Sequence, residues 1–174
     1  MNVESNPAGG AEMKLNIGCG RDIRPGFVNM DWNAGPGVDL VCDARVLPFS
    51  DGSAAYILAN DILEHFSWRE TKTVLDGWTR VLQHKGLLEL RVPSLEGLIR
   101  LYLVRPRGWR VEDGRGVDPV IERLFGGQDF PGNTHFTTFD SRSLEELLQD
   151  SYRVLEIGPD GNDISNLRVV ARKR

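Results

Sequence analysis

The sequence predicts an α/β fold of the Rossmann-like type, built on a mostly parallel sheet. Short apolar segments alternate with segments of helical spacing, and the first apolar segment runs into a Gly-x-Gly turn, Gly18-Cys19-Gly20. The next apolar segment ends on a carboxylate, Asp31. In a Rossmann-type sheet this order holds the adenosine part of a bound cofactor, because the carboxylate accepts hydrogen bonds from the ribose.

Seven apolar segments predict the strands of this sheet. Five are expected to be parallel, and in chain order they are Lys14–Ile17, Phe27–Asp31, Val38–Cys42, Ala54–Ala59 and Leu87–Val92. Two later segments, Tyr152–Ile157 and Leu167–Ala171, are joined by turn residues at 158–162 without a helix between them. They predict an antiparallel hairpin at the end of the sheet.

Apolar spacing and capping residues predict the helices. One helix is expected over Trp68–Gln83, with its stop at Gly86. Ser94 is expected to cap a helix that runs to about Leu103, and Ser141 to cap another further along.

A Gly- and Pro-rich stretch at about 104–133 predicts an irregular insert with one short helix, Pro119–Phe125. Its length and composition favour a functional insert or lid, with a loop of no specific role as the alternative. Residues 1–12 are expected to be a disordered tail, and 13–174 a single domain.

Composition narrows the possible functions. The net charge of −4 disfavours nucleic acid as a partner, and no apolar run approaches the ~20 residues that span a bilayer. The N-terminus lacks the apolar region of a signal peptide. Cys19 and Cys42 are the only cysteines, and neither has another candidate ligand near it in sequence. We therefore expect a cytoplasmic protein with reduced thiols and no metal site.

Five short motifs in order carry a resemblance to a known family. They are Leu-Asn-Ile-Gly-Cys-Gly at 15–20, Val-Cys-Asp-Ala-Arg-Val-Leu-Pro-Phe at 41–49, Leu-Glu-His at 63–65, Arg-Val-Leu-Gln-His-Lys-Gly-Leu-Leu at 80–88, and Phe-Gly-Gly-Gln at 125–128 with His135 downstream. The chain resembles class I S-adenosylmethionine-dependent methyltransferases. It is most similar to a group of small predicted methyltransferases that are often found near glycan-biosynthesis genes.

The resemblance implies a seven-stranded sheet and S-adenosylmethionine as the cofactor. The residues that it places around the cofactor are Asn16, Gly18, Cys19, Gly20, Asp31, Trp32, Asp43, Ala44 and Asn60. Asp31 would accept from the ribose hydroxyls, and Trp32 would cover the adenine ring. Asp43 would accept from the adenine amino group, with the Ala44 amide at a ring nitrogen. Asn60 would lie near the methionine amino group.

Two features depart from the family pattern. Asn16 stands where the family often has an acidic residue, so Asp61 or Glu64 would have to supply that charge. The connection from Gly18 to Asp31 leaves room for about one helical turn, which predicts a shortened first helix. An antiparallel pairing of the first two strands is the alternative, and it would put Asp31 at the wrong end of the sheet.

The resemblance implies in-line transfer of a methyl group to a small molecule or a sugar-containing acceptor. His135 is the first candidate for a general base and His65 the second, although for His65 a structural role as a helix-capping or hydrogen-bonded residue is favoured. Alternatives are a non-catalytic S-adenosylmethionine-binding or interaction protein, or another enzyme on the same fold, such as an aminopropyl transferase or a lyase. A nicotinamide-dependent oxidoreductase is disfavoured because Ile23 occupies the place of the third glycine.

Overall fold

A seven-stranded sheet with the order β3-β2-β1-β4-β5-β7-β6 forms the centre of the computed structural model, which describes residues 12–110 and 116–174. The strands are β1 (Lys14–Ile17), β2 (Val28–Asp31), β3 (Leu40–Val41), β4 (Ala54–Asn60), β5 (Leu82–Pro93), β6 (Tyr152–Asp160) and β7 (Asp163–Lys173). The helices within these residues are α1 (Thr71–Val81), α2 (Leu95–Val104), α3 (Pro119–Phe125) and α4 (Ser141–Leu148), with a 3-10 turn at Leu63–His65. The tail predicted at residues 1–12 lies outside the described residues, except for its last position.

The first five strands are parallel, and the last two are antiparallel. β1 lies between β2 and β4, with Leu15 opposite Val28 on one side and Ile57 on the other. β7 pairs antiparallel with both β5 and β6. The predicted Rossmann-like fold class is therefore confirmed, and the antiparallel alternative for β1 and β2 is wrong.

The core lies between the sheet and the helices that cover it. α1 turns Val74, Leu75, Trp78 and Val81 inward, as the apolar spacing predicts, and α4 buries Leu144 and Leu148. None of the helices in the described part of the chain has the length and hydropathy needed to cross a bilayer.

The predicted shortened first helix is not found: the connection between β1 and β2 contains turns and, within these described residues, no helix. Side-chain amides organise it instead. The Asn16 amide group donates to the Asp22 carbonyl at 2.7 Å and to the Asn29 side-chain oxygen at 3.0 Å. The same Asn29 oxygen accepts from the Arg24 backbone N–H at 2.8 Å. Buried asparagines thus satisfy backbone groups that a helix would otherwise pair.

Several predicted boundaries move. α1 ends at Val81 rather than Gln83, because β5 already begins at Leu82 and pairs there with β4. Asp140, rather than Ser141, caps α4, because its carboxylate accepts from the Ser143 backbone N–H in a capping box.

The predicted turn at 158–162 is also shorter than expected. β6 continues to Asp160, so the hairpin closes on Gly161 and Asn162 alone. The third predicted strand shrinks to Leu40–Val41, whereas α3 has the predicted bounds.

Candidate functional site

A cavity of about 320 Å³ opens at the carboxyl ends of the parallel strands, where open α/β sheets bind ligands. Its lining comes from the loops after β1 to β4 and from the end of the irregular insert. The lining includes Gly18, Gly20, Asp31, Trp32, Asp43, Ala44, Asp61, Ile62, His65, Phe130, Gly132 and Phe136.

The Gly-x-Gly turn after β1 requires glycine at its first position. Gly18 has a φ of +67°, and a Cβ there would lie 2.8 Å from the Ile62 side chain. Gly20 has a φ of +50° but faces open space. The turn is fastened to β2, since the Cys19 N–H donates to the Met30 carbonyl at 3.0 Å. Backbone is therefore presented to the cavity without intervening side chains.

Asp31 ends β2 at the rim of the cavity, as predicted. One carboxylate oxygen accepts from the Gly20 N–H and the other from the Asn33 N–H, both at 2.9 Å. Each oxygen has a further lone pair, so the group can organise both flanking loops and still accept from a ligand.

Asp43 and Ala44 form the next part of the rim, after β3. The Asp43 carboxylate accepts from the Arg45 N–H at 2.9 Å and forms an exposed ion pair with its guanidinium at 3.3 Å. The Ala44 carbonyl accepts from the Trp78 indole N–H at 2.8 Å, which ties this loop to the buried face of α1.

Asp61, directly after β4, also lines the cavity. It has a φ of +51°, which is rare for a residue other than glycine. One carboxylate oxygen pairs with Arg91. The other is buried, has no hydrogen bond within the part of the chain that the structure describes, and lies 3.7 Å from the Arg123 guanidinium. Asn60, expected near the methionine amino group, is absent from the described cavity lining, whereas its neighbour Asp61 is part of it.

Two other predicted contacts lie behind the cavity wall. Asn16 is 2% exposed, and its side chain donates a hydrogen bond into the β1–β2 connection. This role explains why an amide occupies a position that is often acidic in the family that the chain resembles. The Cys19 side chain is buried, and burial together with the nearby Asp31 charge raises its thiol pKa to about 11. Only the backbone of Cys19 is available as part of the turn.

The end of the insert closes the cavity opposite the strands. Gly132 packs so closely on the Trp32 ring that a Cβ there would lie 2.5 Å from it. Phe130 and Phe136 also line the cavity, and both are largely exposed. The insert is anchored by the Phe136 N–H, which donates to the Glu64 carbonyl at 2.9 Å.

The two predicted histidines meet, and only His65 lines the cavity. Their rings pack edge to face with centroids 4.8 Å apart. The Nδ1 of His65 lies 3.1 Å from the Thr134 carbonyl, and the Nδ1 of His135 lies 2.9 Å from the Arg123 carbonyl. Burial lowers the pKa of both rings, that of His135 to about 4.

Glu64 lies beside this pair and is fully buried. Neither of its carboxylate oxygens has a hydrogen-bond partner among residues 12–110 and 116–174, and one lies 4.0 Å from the His135 Nε2. Burial, reinforced by the negative charge of Asp61, raises the pKa of Glu64 to about 8. The sequence names Glu64 only as a possible source of charge, because its burial depends on the insert and is not encoded locally.

Comparison with known proteins agrees with this geometry. Residues 12–90, which include the glycine turn, Asp31, Asp43 and Asp61, match the model of a family described as a methyltransferase domain. No curated protein matches the sequence.

Solved structures share the fold over most of the chain. The PH0226 protein from Pyrococcus horikoshii is 21% identical, with a TM-score of 0.64 over 93% of this chain and 82% of its own. A 1,6-didemethyltoxoflavin-N1-methyltransferase from Burkholderia thailandensis, solved with bound S-adenosylhomocysteine, is 16% identical, with a TM-score of 0.63 over 92% of this chain and 70% of its own. The [4+2]-cyclase SpnF is 13% identical, with a TM-score of 0.58 over 94% of this chain and 75% of its own. The comparisons thus show a Rossmann-like α/β fold in which residues 12–90 match a methyltransferase domain.

Proposed function

We propose that this protein is an S-adenosylmethionine-dependent methyltransferase. The observation that carries the proposal is the meeting of a glycine turn, two strand-end carboxylates and a cavity of about 320 Å³ at one edge of the sheet. A cavity of this size is at the lower end of the range for small-molecule sites, ~300–1,000 Å³. The match of residues 12–90 to a methyltransferase domain supports it.

The chain offers a complementary partner for each part of this cofactor. We assign the ribose hydroxyls to Asp31, whose oxygens each have a free lone pair, and the adenine to Asp43 and the Ala44 amide. Trp32, held against the insert by Gly132, is assigned to one face of the adenine ring. The backbone of the glycine turn would pass beside the ribose and the methionine moiety.

We assign the cofactor's ammonium group to Asp61 rather than to Asn16 or Asn60. The Asn16 side chain is buried in the β1–β2 connection, and Asn60 is not part of the described cavity lining. Asp61 has one buried carboxylate oxygen that makes no hydrogen bond to the described residues, and an ammonium donor would satisfy it. This assignment supplies the negative charge that Asn16 lacks.

The bound cofactor supplies a methyl group on a positively charged sulfur, which leaves with the electron pair of the broken bond. The residues around the cavity then have to align the acceptor with that bond, and good alignment contributes ~7–11 kcal/mol. A positioned base adds ~10²–10⁴-fold and is therefore the smaller effect. His65 lines the cavity and is assigned to contact the acceptor, whereas His135 packs behind it.

We infer a small acceptor with a ring, either an aromatic metabolite or a sugar derivative. The aromatic side chains of Phe130 and Phe136 line the cavity and are largely exposed, so they offer faces on which a ring can pack. The net charge of −4 disfavours a nucleic-acid acceptor.

Calorimetric titration of the purified full chain with S-adenosylmethionine, S-adenosylhomocysteine and NAD tests the cofactor. Binding of the first two without NAD is expected, and NAD binding alone would reject the proposal. Release of S-adenosylhomocysteine in the presence of a panel of ring-containing acceptors then tests methyl transfer. Two other outcomes would favour the alternatives. Consumption of decarboxylated S-adenosylmethionine would indicate an aminopropyl transferase. Cleavage of the cofactor without an acceptor would indicate a lyase.

A further inference from the structure

The cluster of Glu64, His65 and His135 has the chemistry of a metal site. Each residue offers a ligand atom, and these atoms all lie within 4.8 Å of one another. Two imidazoles and a carboxylate form the ligand set of many catalytic zinc sites and of non-haem iron sites. We propose that these three residues bind one divalent transition-metal ion of the Zn²⁺ class.

The buried carboxylate of Glu64 is the first argument. Its side chain is fully buried, and neither oxygen has a hydrogen-bond partner among the described residues. A buried carboxylate without partners is costly, since nothing replaces the water that it has lost. A coordinated cation would satisfy it, whereas the nearest imidazole lies at 4.0 Å, beyond hydrogen-bond distance.

The orientation of the two histidine rings is the second argument, and it is independent of the first. A backbone carbonyl only accepts, so each Nδ1 that lies on one must carry the proton. The Nδ1 atoms of His65 and His135 lie on the carbonyls of Thr134 and Arg123. This leaves each Nε2 with a free lone pair, which is how protein backbones commonly hold metal-binding imidazoles.

The ligand atoms lie within 4.8 Å of one another, so side-chain rotations that shorten these separations by up to about 1.4 Å would suit an ion. Bonds of ~2.0–2.1 Å in a tetrahedral site place ligand atoms roughly 3.4 Å apart. The His135 Nε2 and the Glu64 oxygen are 4.0 Å apart, and rotation of either side chain would close that difference.

His65 also lines the cavity, so an ion held by this cluster would lie beside it. One consequence rests on the proposed function: such an ion would coordinate an acceptor hydroxyl and favour its deprotonated form for attack on the methyl group. His65 would then act as a ligand and not as a base. Metal binding itself does not depend on methyl transfer.

Metal binding by the full chain tests the proposal directly. Chelator-treated protein is titrated with Co²⁺, followed by visible absorption, and with Zn²⁺, in competition with a chromophoric chelator. We expect one ion per chain, and at least a tenfold loss of Zn²⁺ affinity in Glu64→Gln and in His65→Ala. His84→Ala is the matched control, since His84 is exposed and hydrogen-bonds to Arg174 rather than to the cluster, and it should bind as the wild type does.

Absence of Co²⁺ and Zn²⁺ binding by the wild type would overturn the proposal. So would wild-type Zn²⁺ affinity in both variants. If Glu64→Gln does not fold, His65→Ala at the cavity wall decides alone. S-adenosylhomocysteine affinity of the metal-free protein is measured in parallel, so that failure of the metal site is distinguished from failure of the cofactor site.

Discussion

Replacing Asp31 by alanine tests the proposed contact between its carboxylate and the cofactor ribose. The carboxylate would accept from two ribose hydroxyls, and hydrogen bonds to a charged group contribute ~1.5–3 kcal/mol each. Because Asp31 lies at the open rim, where water competes for its oxygens, we expect the loss of binding free energy to lie near the lower end of the range for two such hydrogen bonds. Even ~1.4 kcal/mol corresponds to a tenfold weaker Kd. Asp31→Ala should therefore bind S-adenosylmethionine at least ten times more weakly.

The structure also separates ligand contact from loop organisation. Asp31 accepts from the Gly20 and Asn33 N–H groups, so alanine additionally loosens both loops. Asp31→Asn keeps the shape and one accepting oxygen but loses the charge, and it should fall between the wild type and alanine. S-adenosylhomocysteine shares the ribose and should weaken by the same factor.

Isothermal titration calorimetry on wild type, both Asp31 variants and Asp22→Ala measures these effects. Asp22 lies in the same connection as an exposed acid paired with Arg24, so its removal controls for the loss of a negative charge nearby. A Kd for Asp31→Ala within twofold of wild type would refute the ribose assignment. An equal loss in Asp22→Ala would show that the effect is general electrostatics.

Three further outcomes follow from the same geometry. Gly18→Ala should weaken cofactor binding and lower stability, since Gly18 has a φ of +67° and a Cβ there would lie 2.8 Å from a side chain. Gly20 faces open space, so Gly20→Ala should lose less affinity in calorimetry and less stability in thermal unfolding. Trp78→Phe should lower the free energy of unfolding by ~1–3 kcal/mol in urea titration, because the Ala44 carbonyl loses its donor. An unchanged free energy would show that this hydrogen bond does not stabilise the rim. Cys19, with its pKa raised to about 11, should alkylate far more slowly at pH 8 in native than in denatured protein, as mass spectrometry would show.

The parts of the fold that could be predicted are those encoded locally. The apolar run of Lys14–Ile17 and the Pro-initiated helix Pro119–Phe125 have the predicted bounds, because strand alternation and helix capping depend on neighbours in sequence. The end of α1 moved because Leu82 pairs across the sheet with Ala54, a contact that no local pattern contains.

The same distinction between local and long-range information applies to the residues of the site. Gly18, Asp31 and Asp43 could be placed at the cavity because each follows a parallel strand, and parallel strands end at one edge. Asp61 follows β4 in the same way, and its positive φ becomes apparent only when the strand end is built. The meeting of the two histidines required knowing where the insert returns.

Backbone hydrogen bonds explain how the irregular insert closes the cavity at the carboxyl ends of the strands without a helix or strand of its own there. The N–H groups of Phe136 and Thr137 both donate to the Glu64 carbonyl, and the Thr137 hydroxyl donates to the Phe66 carbonyl. The two N–H bonds are made by backbone atoms on both sides, so they hold the insert in place whatever side chains Phe130 and Phe136 carry. Side chains on this wall of the cavity can therefore change without loss of its closure. Under the proposed function the two halves of the site would be separate: the strand ends would hold the cofactor, and the wall formed by the insert would set the shape available to the acceptor.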